Sequence, residues 1–258
     1  MTQYKTDYNE WAKYYDVIYE IMPPKDSNLY HKYLKGINSV LEMGIGTGRI
    51  LSDFITDGIQ WTGIDNSEEM LEICKEKFEP KQPLNENVFL IKEDMTKLEI
   101  KEDKKSIFNK KFDLVIYPSH SIMSVGSEKK QIDALCSGFK HLSKNGVLIF
   151  DLHNPNNYFI SEEYNLLESK NIKKNKFNLY SKSNVDLEKK VHSNYQILEN
   201  NKEKIQLQSH EYFLYLEDVL RISDELEFEI IDLFGNYNME PFNEFSEEMI
   251  FICRKNYG

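Results

Sequence analysis

The chain has 258 residues, with 43 Asp and Glu against 32 Lys and Arg, a formal net charge of −11 that repels phosphate backbones and anionic membrane surfaces and argues against nucleic acid as a partner. A chain of this length buries a core without metal or disulfide support, and its three cysteines, Cys74, Cys136 and Cys253, are spaced for neither a disulfide framework nor a zinc knuckle. The polar stretch from Met1 to Lys13 lacks a signal-peptide profile and no apolar run reaches membrane-spanning length, so the expected compartment is the reducing cytoplasm.

Between residues 38 and 152, short β-branched or aliphatic runs alternate with amphipathic stretches, the pattern of βαβ units on a parallel sheet. Strands are predicted at 40–43, 60–64, 88–91, 113–116 and 147–150. Ser67 reads as an N-cap before Glu68 and Glu69, with Met70, Leu71, Cys74 and Phe78 at helical spacing. A second helix over 128–142 puts Ile132, Leu135, Phe139 and Leu142 on one face.

After Pro155 the period changes to two. Val191, Ser193, Tyr195 and Ile197, then Ile205, Leu207, Ser209, Glu211 and Phe213, alternate with polar residues and predict an antiparallel hairpin, with a third strand at 177–181. A helix over 217–226 and strands at 229–234 and 249–254 follow. The hairpin thus interrupts an α/β domain. Three regions are expected: an N-terminal helical cover (1–37), the main domain (38–155 and 214–258), and an inserted lid or dimerisation subdomain (156–213).

The sharpest local signal is Leu41-Glu42-Met43-Gly44-Ile45-Gly46-Thr47-Gly48-Arg49, directly after the first strand. Glycines there let the backbone turn tightly and approach a ligand without Cβ interference. The spacing is E-x-G-x-G-x-G, and Arg49 occupies the place where a dinucleotide fingerprint would carry its third glycine. Asp65, at the carboxyl end of the second strand, is placed to accept from both hydroxyls of a ribose. In Glu93-Asp94-Met95, after the third strand, a carboxylate can accept from an exocyclic amine and a thioether can lie on a purine face. Together they suggest a nucleoside without a pyrophosphate.

These motifs, with Thr62-Gly63-Ile64-Asp65-Asn66-Ser67 and Met70-Leu71, Phe112-Asp113-Leu114-Val115-Ile116 and Leu142-Ser143-Lys144-Asn145-Gly146-Val147, resemble the class I S-adenosylmethionine-dependent methyltransferases. The resemblance implies a Rossmann-like, seven-stranded, mostly parallel sheet with its last strand antiparallel and helices on both faces. It also implies S-adenosyl-L-methionine as cofactor and S-adenosyl-L-homocysteine as product. Cofactor contacts would fall on Glu42, Gly44, Gly46, Gly48, Arg49, Asp65, Asn66, Met70, Asp94 and Met95. Tyr15-Asp16-Val17-Ile18-Tyr19 with Asp26-Ser27-Asn28-Leu29-Tyr30 resembles the N-terminal helices of glycine-type and amino-sugar N-methyltransferases, which brings Tyr15, Tyr19 and Tyr30 toward the cofactor. The segment 235–242 resembles a G-D-Y-D-x-x-P-F stretch, but Asn236 and Asn238 replace both acids.

His120, just past the fourth strand, stands where the methyl group meets its acceptor in that fold, and an ordinary imidazole pKa suits a general base. His153 follows the fifth strand on the same rim, and Tyr117 offers a backbone carbonyl or a ring wall. The other histidines show no ligand spacing and no metal is expected, although His192 and His210 are placed to face one another across the hairpin. The run 244–248 reads as a solvated loop and 170–176 as a mobile linker. Phe177, Tyr180, Tyr195, Tyr212 and Phe213 are expected to wall a pocket.

The function implied is methyl transfer to a small molecule, at nitrogen or next at oxygen, by in-line displacement, with a homodimer compatible. A catalytically silent S-adenosylmethionine-binding or partner protein is the alternative. A nicotinamide-dependent oxidoreductase is more remote, because of Arg49.

Overall fold

The computed structural model describes residues 4, 6–55, 58–78, 87–98 and 111–256; the outermost ends of the expected N-terminal cover and main domain, 1–3 and 257–258, lie outside them. All seven main-sheet strands form: β1 (Ser39–Met43), β2 (Gln60–Asp65), β3 (Val88–Lys92), β4 (Phe112–Tyr117), β5 (Leu142–His153) and, after the insertion, β10 (Phe228–Phe234) and β11 (Glu248–Lys255). Their order is β3-β2-β1-β4-β5-β11-β10. The β1–β2, β2–β3, β1–β4 and β4–β5 pairs are parallel, whereas β11 runs antiparallel to both β5 and β10.

From β1 the chain winds outward through β2 and β3, then returns to β4 on the other side of β1. The order therefore reverses between β1 and β4, and a crevice opens at the carboxyl ends of these strands.

Both faces of the sheet are covered, so its central strands are buried on both sides. Leu41, Met43, Val115, Phe150 and Leu152 pack on the face covered by α5 (Glu128–His141) and α6 (Leu216–Glu225). Val40, Leu114, Ile116 and Ile149 pack on the other, against α2 (Ser27–Leu34), α3 (Arg49–Phe54) and α4 (Glu68–Phe78). The predicted cap holds, with Ser67 Oγ accepting from the Met70 amide at 3.2 Å; Ser127 Oγ, which the sequence reading did not name, caps α5 by accepting from the Lys130 amide at 3.3 Å.

The insertion is larger than the predicted hairpin. β6 (Ser161–Ile172), β7 (Asn175–Asp186), β8 (Val191–Glu199) and β9 (Lys204–Tyr212) make a four-stranded antiparallel sheet in sequence order. The expected linker at 170–176 is in fact the β6–β7 turn, with Lys170 paired to Phe177 and Ile172 to Asn175. Its lysines hid an anchor, Ile172, which is 7% exposed. Strand β6 escaped detection because it is an edge strand exposed along most of its length, so no buried face imposes alternation on it.

This second sheet packs on α1 (Tyr8–Ile21), where Trp11, Ala12, Ile18 and Ile21 meet Ile172, Leu179, Leu198 and Leu207. Met70 of α4 closes the same cluster from below. The Trp11 indole N–H donates to the Gln208 carbonyl at 3.0 Å. The N-terminal helix is thus held between the inserted sheet and the main domain, above the crevice.

Candidate active site

The crevice holds a cavity of about 540 Å³, lined among others by Tyr8, Tyr15, Gly44, Gly46, Asp65, Asn66, Ser67, Met70, Asp94, Met95, Ser119 and Ser121. That volume lies in the range of small-molecule and cofactor sites. Eight of the sequence-predicted contacts line it: Tyr15, Gly44, Gly46, Asp65, Asn66, Met70, Asp94 and Met95.

Its floor is set by the β1 and β2 ends. The Gly46 amide donates to Asp65 Oδ2 at 2.8 Å and the Ser67 amide to Asp65 Oδ1 at 2.9 Å. Both carboxylate oxygens are thereby aimed while each keeps a lone pair for a ligand hydroxyl. Burial raises the Asp65 pKa, and the Ser67, Gly46 and Asn66 amides oppose that rise. Gly46 has φ +54, and a Cβ there would meet nothing closer than 3.9 Å, so the space beside it is left for a ligand. At Gly44 (φ +85) a Cβ would fall 2.8 Å from Ser121 Cβ, so the loop after β4 closes directly onto the glycine loop. Asp94 Oδ1 accepts from the Thr96 amide and hydroxyl at 2.9 and 2.8 Å, which leaves Oδ2 for an exocyclic amine.

Six predicted cofactor residues stand behind the lining. Gly48 (φ +76) caps α3 against Cys74 and Phe78. Glu42 is 1% exposed and accepts from the Trp61 indole at 2.8 Å; burial pushes its pKa up to about 8. Arg49 makes a two-point pair with Asp26 at 2.9 and 2.6 Å, donates to Ser119 Oγ at 2.7 Å, and lies over the Tyr19 ring. Tyr19 accepts from the Tyr15 hydroxyl, and Tyr30 is 1% exposed in the α2 packing. Tyr117 faces away: its ring is fully buried and its hydroxyl donates to the Ala134 carbonyl, because β-strand alternation turns it into the core.

At the β4–β5 end, Ser119 and His120 both adopt left-handed backbone, φ 53 and 58. Such non-glycine residues cost about 1–3 kcal/mol each and persist only where their surroundings hold them. Here Arg49 holds Ser119, the His120 amide donates to the buried Asp151 at 2.8 Å, and Ser121 Oγ donates to the Met43 carbonyl at 3.0 Å.

His120 is not the free imidazole the sequence suggested. Its Nε2 lies 2.7 Å from Glu248 Oε2 and its ring stacks on His153 with centroids 3.5 Å apart. Burial alone would lower its pKa, but Glu248 and Asp151 outweigh that and hold it at about 10. Burial would raise the Glu248 pKa, and His120 instead brings it down to about 2. His153 Nδ1 lies 3.5 Å from the same Glu248 oxygen and its Nε2 4.0 Å from Glu211 Oε2. Neither histidine is among the residues lining the cavity, although the neighbours of His120 are.

Several expectations change in this region. Glu248, taken as part of a solvated loop, begins β11 opposite His153 and is 15% exposed on its side chain. His192 and His210 do not face one another: His192 pairs with Glu211 and His210 with Ser193, on opposite faces of the strands. Of the five expected wall aromatics none is among the cavity-lining residues; Phe213 is core and Phe177 packs with the α1 cluster, because that sheet face meets α1. The missed residues are Tyr8, whose hydroxyl bonds Ser124 at 2.6 Å, with Asp151, Tyr158, Glu211 and Glu248. One signal could have found Glu211: it sits on the apolar face of a period-two strand.

Comparison with known proteins agrees with this architecture. Residues 40–146 match the family model described as "Methyltransferase domain". YqeM of Bacillus subtilis (strain 168), provisionally named a methyltransferase, is 28% identical over 153 residues, 57% of this chain and 55% of its own. The match thus spans about half the length of that relative. The CcbJ methyltransferase from Streptomyces caelestis superimposes with a TM-score of 0.80 at 19% identity, over 98% of this chain and 99% of its own. CalS10 from Micromonospora echinaspora, an amino pentose methyltransferase solved with S-adenosylmethionine bound, gives 0.73 at 15% identity over 94% and 96%. No helix among the described residues is long and apolar enough to cross a membrane. The matched segment runs from β1 into β5, and the glycine loop, Asp65 and the Glu93-Asp94-Met95 segment converge on one crevice, so the chain has the fold of these methyltransferases and resembles the methyltransferase domain over residues 40–146.

Proposed function

We propose that this chain transfers the methyl group of S-adenosylmethionine to a small-molecule acceptor, at nitrogen or next at oxygen, with no nucleic acid or membrane partner and in the cytoplasm. The observation that carries it is the Gly46–Asp65 lock: one carboxylate, fixed by two backbone amides, bounds a cavity whose other end is the loop after β4. The bound cofactor supplies a methyl group already activated by its sulfonium. The chain then has mainly to align the acceptor and exclude water, and proximity of this kind contributes ~7–11 kcal/mol.

Asp65 takes the ribose hydroxyls and Asp94 the adenine amine, with Met70 and Met95 against the ring. Tyr15 closes the methionine end, and Glu42, Gly48, Arg49, Tyr19 and Tyr30 shape the loop from behind. His153, beside Glu211 and Glu248, serves as proton acceptor for the nucleophile, with His120 holding Glu248 in place. The N-terminal cover (1–37) and the insertion (156–213) act as a lid on the main domain (38–155 and 214–258). An acceptor such as the amino pentose of CalS10 fits this reading. The exposed edge of β6, with Tyr164 and Leu166 outward, supports a homodimer through the same insertion.

Calorimetry with S-adenosylmethionine, S-adenosylhomocysteine and NAD tests the cofactor, and binding is expected for the first two only. A methyl-transfer screen over amino sugars, amino acids and small phenols tests the acceptor. A chain that binds the cofactor and methylates none of these would favour the catalytically silent reading. For the lid, Tyr195→Ala is expected to reduce turnover; a change in oligomer size with turnover intact would assign the insertion to the interface instead.

A further inference from the structure

Behind the loop after β4, five ionisable side chains from five separate segments meet in a half-buried cluster: His120, His153, His192, Glu211 and Glu248. His120 Nε2 and His153 Nδ1 both face one oxygen, Glu248 Oε2, at 2.7 and 3.5 Å, from rings inclined by 27°. One donor atom from each of the three lies within 4.8 Å of the others. The backbone fixes this spacing, since Glu248 and His153 are register partners on neighbouring strands and the left-handed His120 is pinned through its amide to Asp151.

A second tier stands behind the first. The remaining nitrogen of His153 points at Glu211, 4.0 Å away, and His192 Nδ1 lies 3.4 Å from the same Glu211 oxygen. Tyr158 stacks on His192, and its buried hydroxyl has no hydrogen-bond partner among the described residues. A carboxylate behind a histidine whose other nitrogen faces a shared centre is the arrangement that orients metal-bound imidazoles.

We propose that His120, His153 and Glu248 bind one divalent transition-metal ion, with Glu211 orienting His153. Two imidazoles and a carboxylate suit Zn²⁺ or Fe²⁺ and leave coordination positions open. Serine neighbours of His120 on both sides line the cofactor cavity, which puts the proposed ion just behind the wall of the crevice at the β4 end. Resting on the methyltransferase reading, the ion would replace His153, then a ligand with no free nitrogen, in activating the acceptor, and would bind it through oxygen: a hydroxyl, phenol or carboxylate. A nitrogen bound directly to it would have its attacking lone pair engaged. A hydroxyl held there would lose its proton to solvent water. Its oxygen forms the new bond to the methyl carbon while the carbon–sulfur bond breaks and that electron pair stays on sulfur.

The test is calorimetric titration of the EDTA-stripped full chain with Zn²⁺, alongside visible absorption on adding Co²⁺. Expected are one ion per chain with a dissociation constant below about 10 µM, ligand-field bands from Co²⁺, and a loss of more than about 100-fold in His153→Ala and Glu248→Gln. Glu211→Gln should weaken binding by ~10–100-fold, as for an outer partner, and His31→Ala should leave it unchanged. Absence of saturable binding by the wild type up to about 1 mM, or wild-type affinity in both ligand variants, overturns the proposal. S-adenosylhomocysteine binding, measured on the same samples, separates the two ideas. Binding of S-adenosylhomocysteine without zinc ends the metal site alone, and binding of zinc without it ends the cofactor reading alone.

Discussion

The two ends of the crevice are built on different principles. At the cofactor end, the decisive contacts are backbone amides and one acid brought together over short chain distances: Gly46 and Asp65 are 19 residues apart, and Ser67 follows Asp65 by two. At the histidine end, the contacts join residues 31 to 128 positions apart, as in Asp151 to His120 and Glu248 to His120. The first end depends on glycine conformations and strand order, so its residues are readable as a motif. The second depends on which side chains several distant strands happen to bring face to face, and no local pattern encodes it.

The contrast can be broken most directly at Asp65. Asp65→Ala removes two charge-assisted bonds worth about 1.5–3 kcal/mol each, so S-adenosylhomocysteine affinity by calorimetry should fall by about 10³-fold. His153→Gln should do the reverse, cutting turnover by ~10²-fold while leaving cofactor affinity within about a factor of two. If His153→Gln also abolished cofactor binding, the two ends would not be separable.

Glu42 offers a pH readout of the cofactor end. Its folded pKa, near 8 and raised chiefly by burial, lies above the ordinary carboxylate value. Below about pH 4 both states hold the proton and nothing is lost; between about 4.5 and 8 the unfolded chain releases it first, so stability declines as pH rises. Urea denaturation should show the wild type losing roughly 2–4 kcal/mol across that window relative to Glu42→Gln. An identical pH slope in the two proteins would mean that Glu42 is not held neutral.

A smaller effect is expected where the two ends are tied together. Asp26 is 4% exposed and Arg49 22% on their side chains, so Asp26→Asn leaves a mostly buried guanidinium half-paired and should cost about 2 kcal/mol by chemical denaturation. It should also loosen Ser119, which Arg49 holds, and so lower turnover more than cofactor affinity. The smallest effect is expected of Tyr8→Phe, which deletes the hydroxyl bond to Ser124 and should cost about 1 kcal/mol with a few-fold change in cofactor affinity.

Much of the main domain was legible in the sequence. Strands β1 to β5 read as aliphatic runs because both faces of a parallel sheet are buried, and Ser67 with Glu68 and Glu69 announced α4. The insertion was legible only where one face packs: Val191–Ile197 and Ile205–Phe213 alternate, but β6 is solvent-exposed and shows no period. At the site, the loop glycines and the acids at the β2 and β3 ends were found, whereas Ser119 and Ser121 after β4 were not, and Tyr117 was assigned to the crevice although alternation buries its ring. His120 was judged by its ordinary pKa, and the acid that changes it arrives from 128 residues away.

The sequence by itself determined the glycine loop, the acid after β2 and the succession of strands β1 to β5, because turn conformation and hydrophobic periodicity are local properties of a chain. The resemblance already implied an antiparallel last strand; only the tertiary structure decided the register of β11 against β5. That single pairing sets Glu248 opposite His153 and within reach of His120, and it converts two apparently unrelated histidines and an acid from a surface run into one interacting cluster. Contacts of that kind depend on register between strands about 100 residues apart, which neither composition nor spacing along the chain records.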